Sequence, residues 1–408
     1  MELLYLARSP EASCPINPEV GSHRSLAESV SRRPRLSALA GLRFVAALHI
    51  VVHHLADAFA RRAVLPAWVT NLVVNGYTST SLFFILSGFV LAYAYTAREG
   101  GFRGARRDFW VGRFARLYPL SLLGHVLVVP LVAYTAAEGV LRAVFVLTAT
   151  QAWVPWAAFS YNYVAWSVSV LAFFYLAFPY AVAALTTWSS REVAAGAVVM
   201  WIAGLIVPAL LMVNGHSRSR GEFWTAVHHA FPVVRLPEFL FGVFVGTLFL
   251  RHGRDHSRYG GVLTAAGAVL LIAILTRDVP ALHPLLHNGL LAPLHGVLLY
   301  GVAAGAGALG PVLSSRPMKV LADASLPLFV LHVPMQLWIR KGFLLLGMAE
   351  TMPMLVLSFT VYFVGTIAVS IAAWYWFVEP VAEWVRGRLA PAEPAAPIRV
   401  RAPAARAA

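Results

Sequence analysis

Apolar stretches of about 20 residues recur along almost the whole chain, separated by short polar loops. Each is long enough to cross a hydrocarbon layer of roughly 30 Å as a helix rising about 1.5 Å per residue. Eleven can be marked, near residues 38–60, 77–96, 114–136, 139–156, 164–188, 193–213, 230–250, 259–276, 287–310, 320–339 and 353–378. A membrane β-barrel would alternate apolar and polar residues over about 10 positions. Segments such as Val193–Val213 and Met354–Ala373 do not alternate. The pattern predicts an all-α, polytopic transmembrane helical bundle.

Loop charge sets the number of crossings. The most basic segments are the N-terminal tail, the loops Arg98–Arg113 and Arg251–Arg258, the loop with Arg316 and Lys319, and the C-terminal tail. The positive-inside tendency assigns all five to the cytoplasm. Counts from the two ends agree only if 114–156 crosses once, and its second half is the poorer span, with Glu138, Arg142, Gln151 and Pro155. The expectation is ten crossings, with 139–156 as an interfacial or re-entrant helix. Residues 1–36 and 389–408 are expected to be disordered cytoplasmic tails, one Ser/Pro-containing and without a signal-peptide core, the other Ala/Pro/Arg-rich. A transmembrane domain then covers 37–388. Composition and arginine bias favour a bacterial inner (plasma) membrane.

Hydrophobic residues make up 59% of the 408 and charged residues 12%, against roughly 45–50% and about 25% in soluble domains. The net charge of +14 would suit a nucleic-acid partner. Its arginines, however, sit in short loops between spans, so the expected partner is the lipid bilayer and no nucleic acid. Cys14 is the only cysteine, which excludes an internal disulfide framework, a thiolate metal site and a Cys–His nucleophile pair. No metal centre is predicted.

Ionisable groups inside apolar spans cost about 2.5–3.5 kcal/mol each on insertion scales and mark candidate function. The first span holds Arg43, His49, His53, His54 and Asp57. At about 100° per residue, Arg43 and His54 differ by roughly 20° around the axis and by about 16 Å along it. His49 points elsewhere. Asp57, three residues after His54, is within reach of its second ring nitrogen and could fix its tautomer. A histidine backed by a carboxylate suits general-base chemistry on a hydroxyl. A snorkelling Arg43 and interfacial histidines would account for the same residues without chemistry.

Arg113 and Arg116, at the entrance of the third span, share a helix face and present planar donor forks suited to phosphate, or are ordinary flanking charge. Arg235 and Glu238 are expected to form an intramembrane ion pair of structural character. His125, His295, His332 and Glu379, scattered on other spans, read as hydrogen-bonded packing residues. Asn75, Ser79, Ser81 and Ser87 read as packing or capping groups.

Ala38-Leu39-Ala40-Gly41-Leu42-Arg43-Phe44-Val45-Ala46-Ala47-Leu48, followed by His54, resembles the opening helix of the acyltransferase 3 family of membrane O-acyltransferases. Leu82-Phe83-Phe84-Ile85-Leu86-Ser87-Gly88-Phe89 is similar to the family's second-helix motif. Arg113-Phe114-Ala115-Arg116-Leu117-Tyr118-Pro119 is similar to its Arg-x-x-Arg segment, and Trp166-Ser167-Val168-Ser169-Val170 to its Trp-Ser-Leu-Ser-Val stretch. Glu238 to Gly242, Ser325 to Pro334 and Phe377 to Pro380 come later, in the family's order. The resemblance runs from about residue 36 to 385. One departure stands out: Leu171 occupies a position where relatives usually carry Glu, a loss for which Asp57 or Glu379 could compensate. Another is that the family's frequent esterase domain is not seen after the spans, so transfer is expected to finish within the membrane domain.

The resemblance implies transfer of an acyl group, commonly acetyl, from acyl-CoA to a hydroxyl of a glycan, polysaccharide or glycolipid. A glycosylated small metabolite such as a macrolide sugar is an alternative acceptor. Arg113 and Arg116 would hold the CoA phosphates, Arg43 would line the donor path, and His54, oriented by Asp57, would act as base or transient acyl carrier. Acyl-CoA is expected as a donor substrate, with no permanently bound cofactor. A transporter of glycan or lipid, or an inactive scaffold, are readings of a different class.

Overall fold

The computed structural model describes residues 36–60, 65–97, 100–215, 223–253, 255–348 and 351–389, with only the backbone described for 55–60, 352 and 355. The two expected tails lie outside the described residues apart from Leu36 and Leu389. Within the described residues, regular structure is helical, and Thr96 and Phe102 form an isolated bridge.

The helices are α1 (Ser37–Ala60), α2 (Ala67–Val74), α3 (Ser79–Tyr95), α4 (Arg106–Val128), α5 (Ala136–Leu147) and α6 (Trp166–Ala184). Then come α7 (Ser190–Val213), α8 (Phe223–Ala230), α9 (Pro232–His252), α10 (Gly260–Leu275), α11 (His283–His287) and α12 (Ala292–Ala304). The chain closes with α13 (Gly310–Leu313), α14 (Arg316–Asp323), α15 (Ser325–Leu345), α16 (Met352–Ala373) and α17 (Glu379–Leu389). Eight stretches are long and apolar enough to cross a membrane. The pairs α11–α12 and α14–α15, bent by 55° and 57°, raise the number to ten if each is one broken span. The expected bundle is therefore present, with eight to ten crossings, the expected ten being reached when each bent pair is one span.

The region 139–156 does not cross. Helix α5 has 12 residues, about 18 Å at 1.5 Å per residue, which is short of the hydrocarbon thickness. A capping box between Thr135 and Glu138 starts it. Val140, Leu141, Val144 and Leu147 point outward along its length, the face a helix lying in a membrane interface presents. Arg142 anchors the loop between α5 and α6, donating to the Trp156 carbonyl at 2.9 Å and to Ser160 Oγ at 3.0 Å.

Helix α3 is the most enclosed span and lies directly against α9. A Cβ on Gly88 would meet the Phe239 carbonyl, one on Gly242 would meet the Ile85 carbonyl, and one on Gly246 would lie 2.6 Å from the Phe89 carbonyl. Two backbones in contact through glycines are the membrane solution to packing where hydrophobic burial gives no drive between helices. Phe84, Ile85 and Phe89 are buried beside this seam with Phe174 and Phe239. The breaks serve the bent spans. Gly289, between α11 and α12, has φ +85°, and a Cβ there would press 3.0 Å from Glu238 Cγ, so the turn requires glycine on both counts.

Gly242→Val should destabilise the bundle by about 1–3 kcal/mol or prevent its assembly, read as a lower thermal unfolding midpoint in detergent. Gly365→Ala, whose Cβ meets nothing within 4 Å, should melt as wild type. Equal midpoints for the two variants would mean that α3 and α9 do not approach this closely.

Candidate active site

Arg43, Arg113 and Arg116 come from α1 and α4 and line one cavity of about 180 Å³, together with Ser87, Leu171, Tyr175, Asp323 and Trp374. The three arginines are not equivalent. Arg116 presents its planar fork to Glu379, with Nε donating to Oε2 at 3.1 Å and Nη2 to Oε1 at 2.9 Å. The Glu379 Oε1 atom also accepts from Arg386 Nη2 at 3.1 Å. The Arg113 Nη2 donates to the Tyr95 hydroxyl at 3.1 Å, and its guanidinium lies 5.5 Å from the Tyr95 ring centre and 5.9 Å from that of Phe109. Its Nε is enclosed without a hydrogen-bond partner among the described residues. Among the described residues Arg113 makes no ion pair with a carboxylate, whereas Arg116 is held by one from α17.

Further along α1, His54 Nδ1 is 2.8 Å from His332 Nε2 on α15. The two rings are within 8° of parallel with centres 5.0 Å apart, the separation a nitrogen-to-nitrogen bond in a shared plane requires. His332 is fully buried, and its Nδ1 lies 2.7 Å from the Phe329 carbonyl. A carbonyl can only accept, so His332 Nδ1 carries hydrogen and, with both rings neutral, its Nε2 carries the lone pair. His54 Nδ1 must then be the donor, which leaves the lone pair on His54 Nε2. A backbone carbonyl thereby fixes two tautomers in series, and the outer nitrogen is a base by construction.

The bend between α14 and α15 gives both contacts a common origin. Asp323, the last residue of α14, lines the cavity beside Arg43, and His332 comes nine residues later at His54. One broken span therefore runs alongside α1 in the same direction and meets both polar residues of its stripe.

The expected stripe of Arg43 and His54 is therefore served by one neighbouring span. The Asp57 side chain lies outside the described residues, and the partner found on His54 Nδ1 is His332. His332 and Glu379, read singly as packing residues, each make a specific contact with a candidate residue 278 and 263 positions away. Such separations leave no local signal in a sequence. Leu171 does line the cavity. Of its two suggested substitutes, Asp57 has its side chain outside the described residues and Glu379 is taken up by Arg116 and Arg386; the carboxylate in the cavity wall is Asp323, which the sequence had not singled out. His49 turns to the other side, bonded to Ser79 Oγ and the Leu72 carbonyl, both at 2.8 Å.

Arg235 and Glu238 form the expected ion pair at 3.0 Å, at 0% and 3% exposure. The pair is embedded in more than itself. Arg235 Nη1 reaches the His287 carbonyl at 2.6 Å, Asn288 Oδ1 at 2.8 Å and His287 Nδ1 at 3.0 Å. Ser81 donates to Glu238 at 2.5 Å. His287 in turn belongs to a band of histidines that includes His53, His228, His229 and His283. No group of three or more His, Cys, Asp or Glu among the described residues is arranged to hold a metal ion.

Broken and continuous apolar spans, with a cationic cavity and an oriented histidine farther along α1, define a multi-pass membrane protein. The chain belongs to the acyltransferase 3 family, whose sequence pattern, described as an acyltransferase domain, matches residues 36–375. It is accordingly a membrane acyltransferase. It is 29% identical over 340 residues to the acyltransferase MdmB of Streptomyces mycarofaciens, covering 77% of this chain and 81% of that one. It is also 44% identical over 101 residues to protein 2 in the picA locus of Rhizobium radiobacter, covering 23% of this chain and 44% of that one. No solved structure matches the chain.

His332→Ala should lower acyl transfer by about 10²–10⁴-fold, the range for a mispositioned base. His332→Gln, whose amide oxygen can accept from His54 Nδ1, should lose distinctly less. Equal losses in the two variants, at equal protein levels, would remove the tautomer argument.

Proposed function

We propose that the protein transfers an acyl group, acetyl in the simplest case, from acyl-CoA to a hydroxyl of a glycan, glycolipid or other glycosylated acceptor. The observation that carries this reading is the joining of Arg43 and His54 by a single helix. One end of that helix enters a cavity with Arg113 and Arg116, and the other presents a histidine of fixed tautomer. A donor with phosphates at one end and a thioester at the end of a long arm matches a separation of about 16 Å along the helix. A compact donor does not.

In this reading Arg113 holds CoA phosphate, and Arg116, itself held by Glu379, adds positive potential at the same mouth. Arg43 lines the path of the pantetheine arm or the thioester. The positive-inside tendency puts this mouth on the cytoplasmic side of the plasma membrane, where acyl-CoA is found, with both chain termini on that side. His54 then lies toward the outer leaflet.

The reaction needs one proton shuttle. His54 Nε2 takes the proton of the acceptor hydroxyl as its oxygen bonds to the thioester carbonyl carbon. The carbon–sulfur bond breaks, the thiolate of CoA takes the proton back from the imidazolium, and ester and free thiol leave. His332 accepts the Nδ1–H throughout and stabilises the imidazolium. An acyl group carried on His54 would use the same lone pair. That variant of the mechanism differs in giving a burst of free CoA before acceptor is added.

Free thiol released from acetyl-CoA by the purified protein, with a panel of glycan and glycoside acceptors, tests the reading. Release should depend on acceptor and fall about 10²–10⁴-fold in His54→Ala. His54→Ala turning over as wild type would sink the assignment. Arg113→Ala should raise the donor KM about tenfold or more, the loss of one hydrogen bond between charged groups, with little change in the acceptor KM. An unchanged donor KM would take Arg113 out of the CoA site.

A further inference from the structure

The His54 ring has partners from two separate parts of the chain. His332 on α15 accepts from its Nδ1, and Tyr163, just before α6, stands edge-on to it with ring centres 5.3 Å apart. Keeping those two partners in register needs a link between α15 and the segment that leads into α6. Asn162 makes that link. It is 1% exposed, and its Nδ2 donates to the Val330 carbonyl at 2.9 Å. A carbonyl only accepts, so the amide nitrogen is the atom that faces it.

The surroundings on three sides are shaped for this contact. Pro334 lies inside α15, and proline has no N–H to give to the carbonyl four residues before it. That carbonyl belongs to Val330, so Asn162 supplies the donor that the helix lacks, in the turn that carries His332. On the α4 side, Gly124 leaves the room. A Cβ there would lie 2.8 Å from Asn162 Nδ2 and 2.9 Å from Val330 Cγ1. Before Asn162 in the chain, Tyr161 has φ +55°, a left-handed conformation that is an outlier for a bulky side chain. Its N–H donates to the Tyr134 hydroxyl at 3.3 Å and its own hydroxyl to the Gly139 carbonyl at 2.8 Å. Such strain persists where the surroundings over-determine a backbone, and it clusters at functional sites.

We infer that Asn162 is a positioning residue, a latch that fastens the segment before α6 onto α15 and so holds Tyr163 and His332 in register around the His54 ring. The role rests on the acyl-transfer reading of His54. Asn162 does not line the arginine cavity, so losing the latch disturbs the base and leaves donor binding as it was.

A double-variant cycle on the full chain in lipid nanodiscs tests this, with Asn162→Ala made in the wild type and in Pro334→Ala. In the wild type, Asn162→Ala should lower the thermal midpoint, because the buried Val330 carbonyl loses its donor. It should also lower kcat for acceptor-dependent CoA release by about 10–100-fold, the scale of a small misplacement, at an unchanged donor KM. With an N–H at position 334 the midpoint should fall less, whereas kcat should fall as far as before. A fall in kcat that shrinks along with the loss of midpoint would make the asparagine merely structural and overturn the latch. Gly124→Ala, which presses on the amide from α4, should lower kcat at an unchanged donor KM, and a wild-type kcat there would equally count against it. Deuterium exchange at the His54 C2–H, followed by mass spectrometry, needs no turnover and should be faster in both chains that lack Asn162. Unchanged exchange overturns the latch even if CoA release depends on His54. Absence of CoA release from the wild type would instead defeat the acyl-transfer reading and leave the exchange result to decide the latch.

Discussion

A guanidinium buried in the middle of a membrane protein has to be satisfied by the protein itself, and much of this bundle is arranged around Arg235. Its neighbours come from three directions. Glu238 lies one turn along α9, Ser81 on α3 binds that carboxylate, and His287 and Asn288 close in from the break after α11. Removing one member of such a group leaves an uncompensated charge, a loss of about 3–5 kcal/mol in buried pairs. The same contacts explain why α11 and α12 are a broken pair. A continuous helix would spend the His287 carbonyl on its own backbone, whereas the break turns that carbonyl toward Arg235 and Ser81. The glycine seam between α3 and α9 then lets the two helices that carry Ser81 and Glu238 come close enough for the hydroxyl to donate to the carboxylate.

The cluster also links scaffold to chemistry. His287 is fixed by Arg235 on one side and meets His229 and Tyr77 on the other. Tyr77 in turn lies against His53, the neighbour of His54. Across the bundle, the Phe329 carbonyl orients His332 and, through it, His54. Both sides of the histidine band are therefore anchored by groups that cannot exchange their hydrogen-bonding roles, an arginine and a main-chain carbonyl. Imidazoles would otherwise sample both tautomers. For His54, His332 and His287 the surrounding donors and acceptors choose, which amounts to preorganisation of those rings.

Some of this is legible in the sequence and some is not, for reasons that can be named. Apolar length gives the spans, and loop charge predicts that 139–156 does not cross, in keeping with an α5 of only 12 residues. Helical periodicity aligns Arg43 with His54, and a spacing of three joins Arg235 to Glu238, because both are local facts of one helix. The partners are another matter. Asp57 is the local candidate to orient His54, and the residue that touches it comes from α15, 278 positions away. Glu379 looks like an isolated polar residue until α17 folds onto α4 beside Arg116. The histidine band is assembled from α1, α8 and α11, and no single segment contains enough of it to be noticed. Pairwise hydrogen-bond choices between distant segments are invisible to periodicity.

Leu171 shows what the cavity's electrostatics then permit. An apolar side chain at this point of the wall leaves Arg43 and Arg113 facing a space whose carboxylate comes from Asp323, across the bend of the α14–α15 span. Glu379 cannot share in that role while it neutralises Arg116 and Arg386. The positive charge of the cavity is therefore distributed unevenly, quenched at Arg116 and less so at Arg113, whose Nε is enclosed and unpaired. For a bound anion, an arginine already committed to a carboxylate contributes mainly potential, whereas one not so paired keeps more of its charge for the ligand. Phe83, Leu86, Val90 and Leu117 join Leu171 as the apolar part of the lining, the part that the proposed reading would give to a pantetheine or acyl chain. The Asp323 carboxylate on α14 thus leaves a counter-charge in the wall beside Arg43, while Leu171 on α6 adds only hydrocarbon to the same lining, so the charge of the cavity is set by groups on α1, α4 and α14 and not by α6.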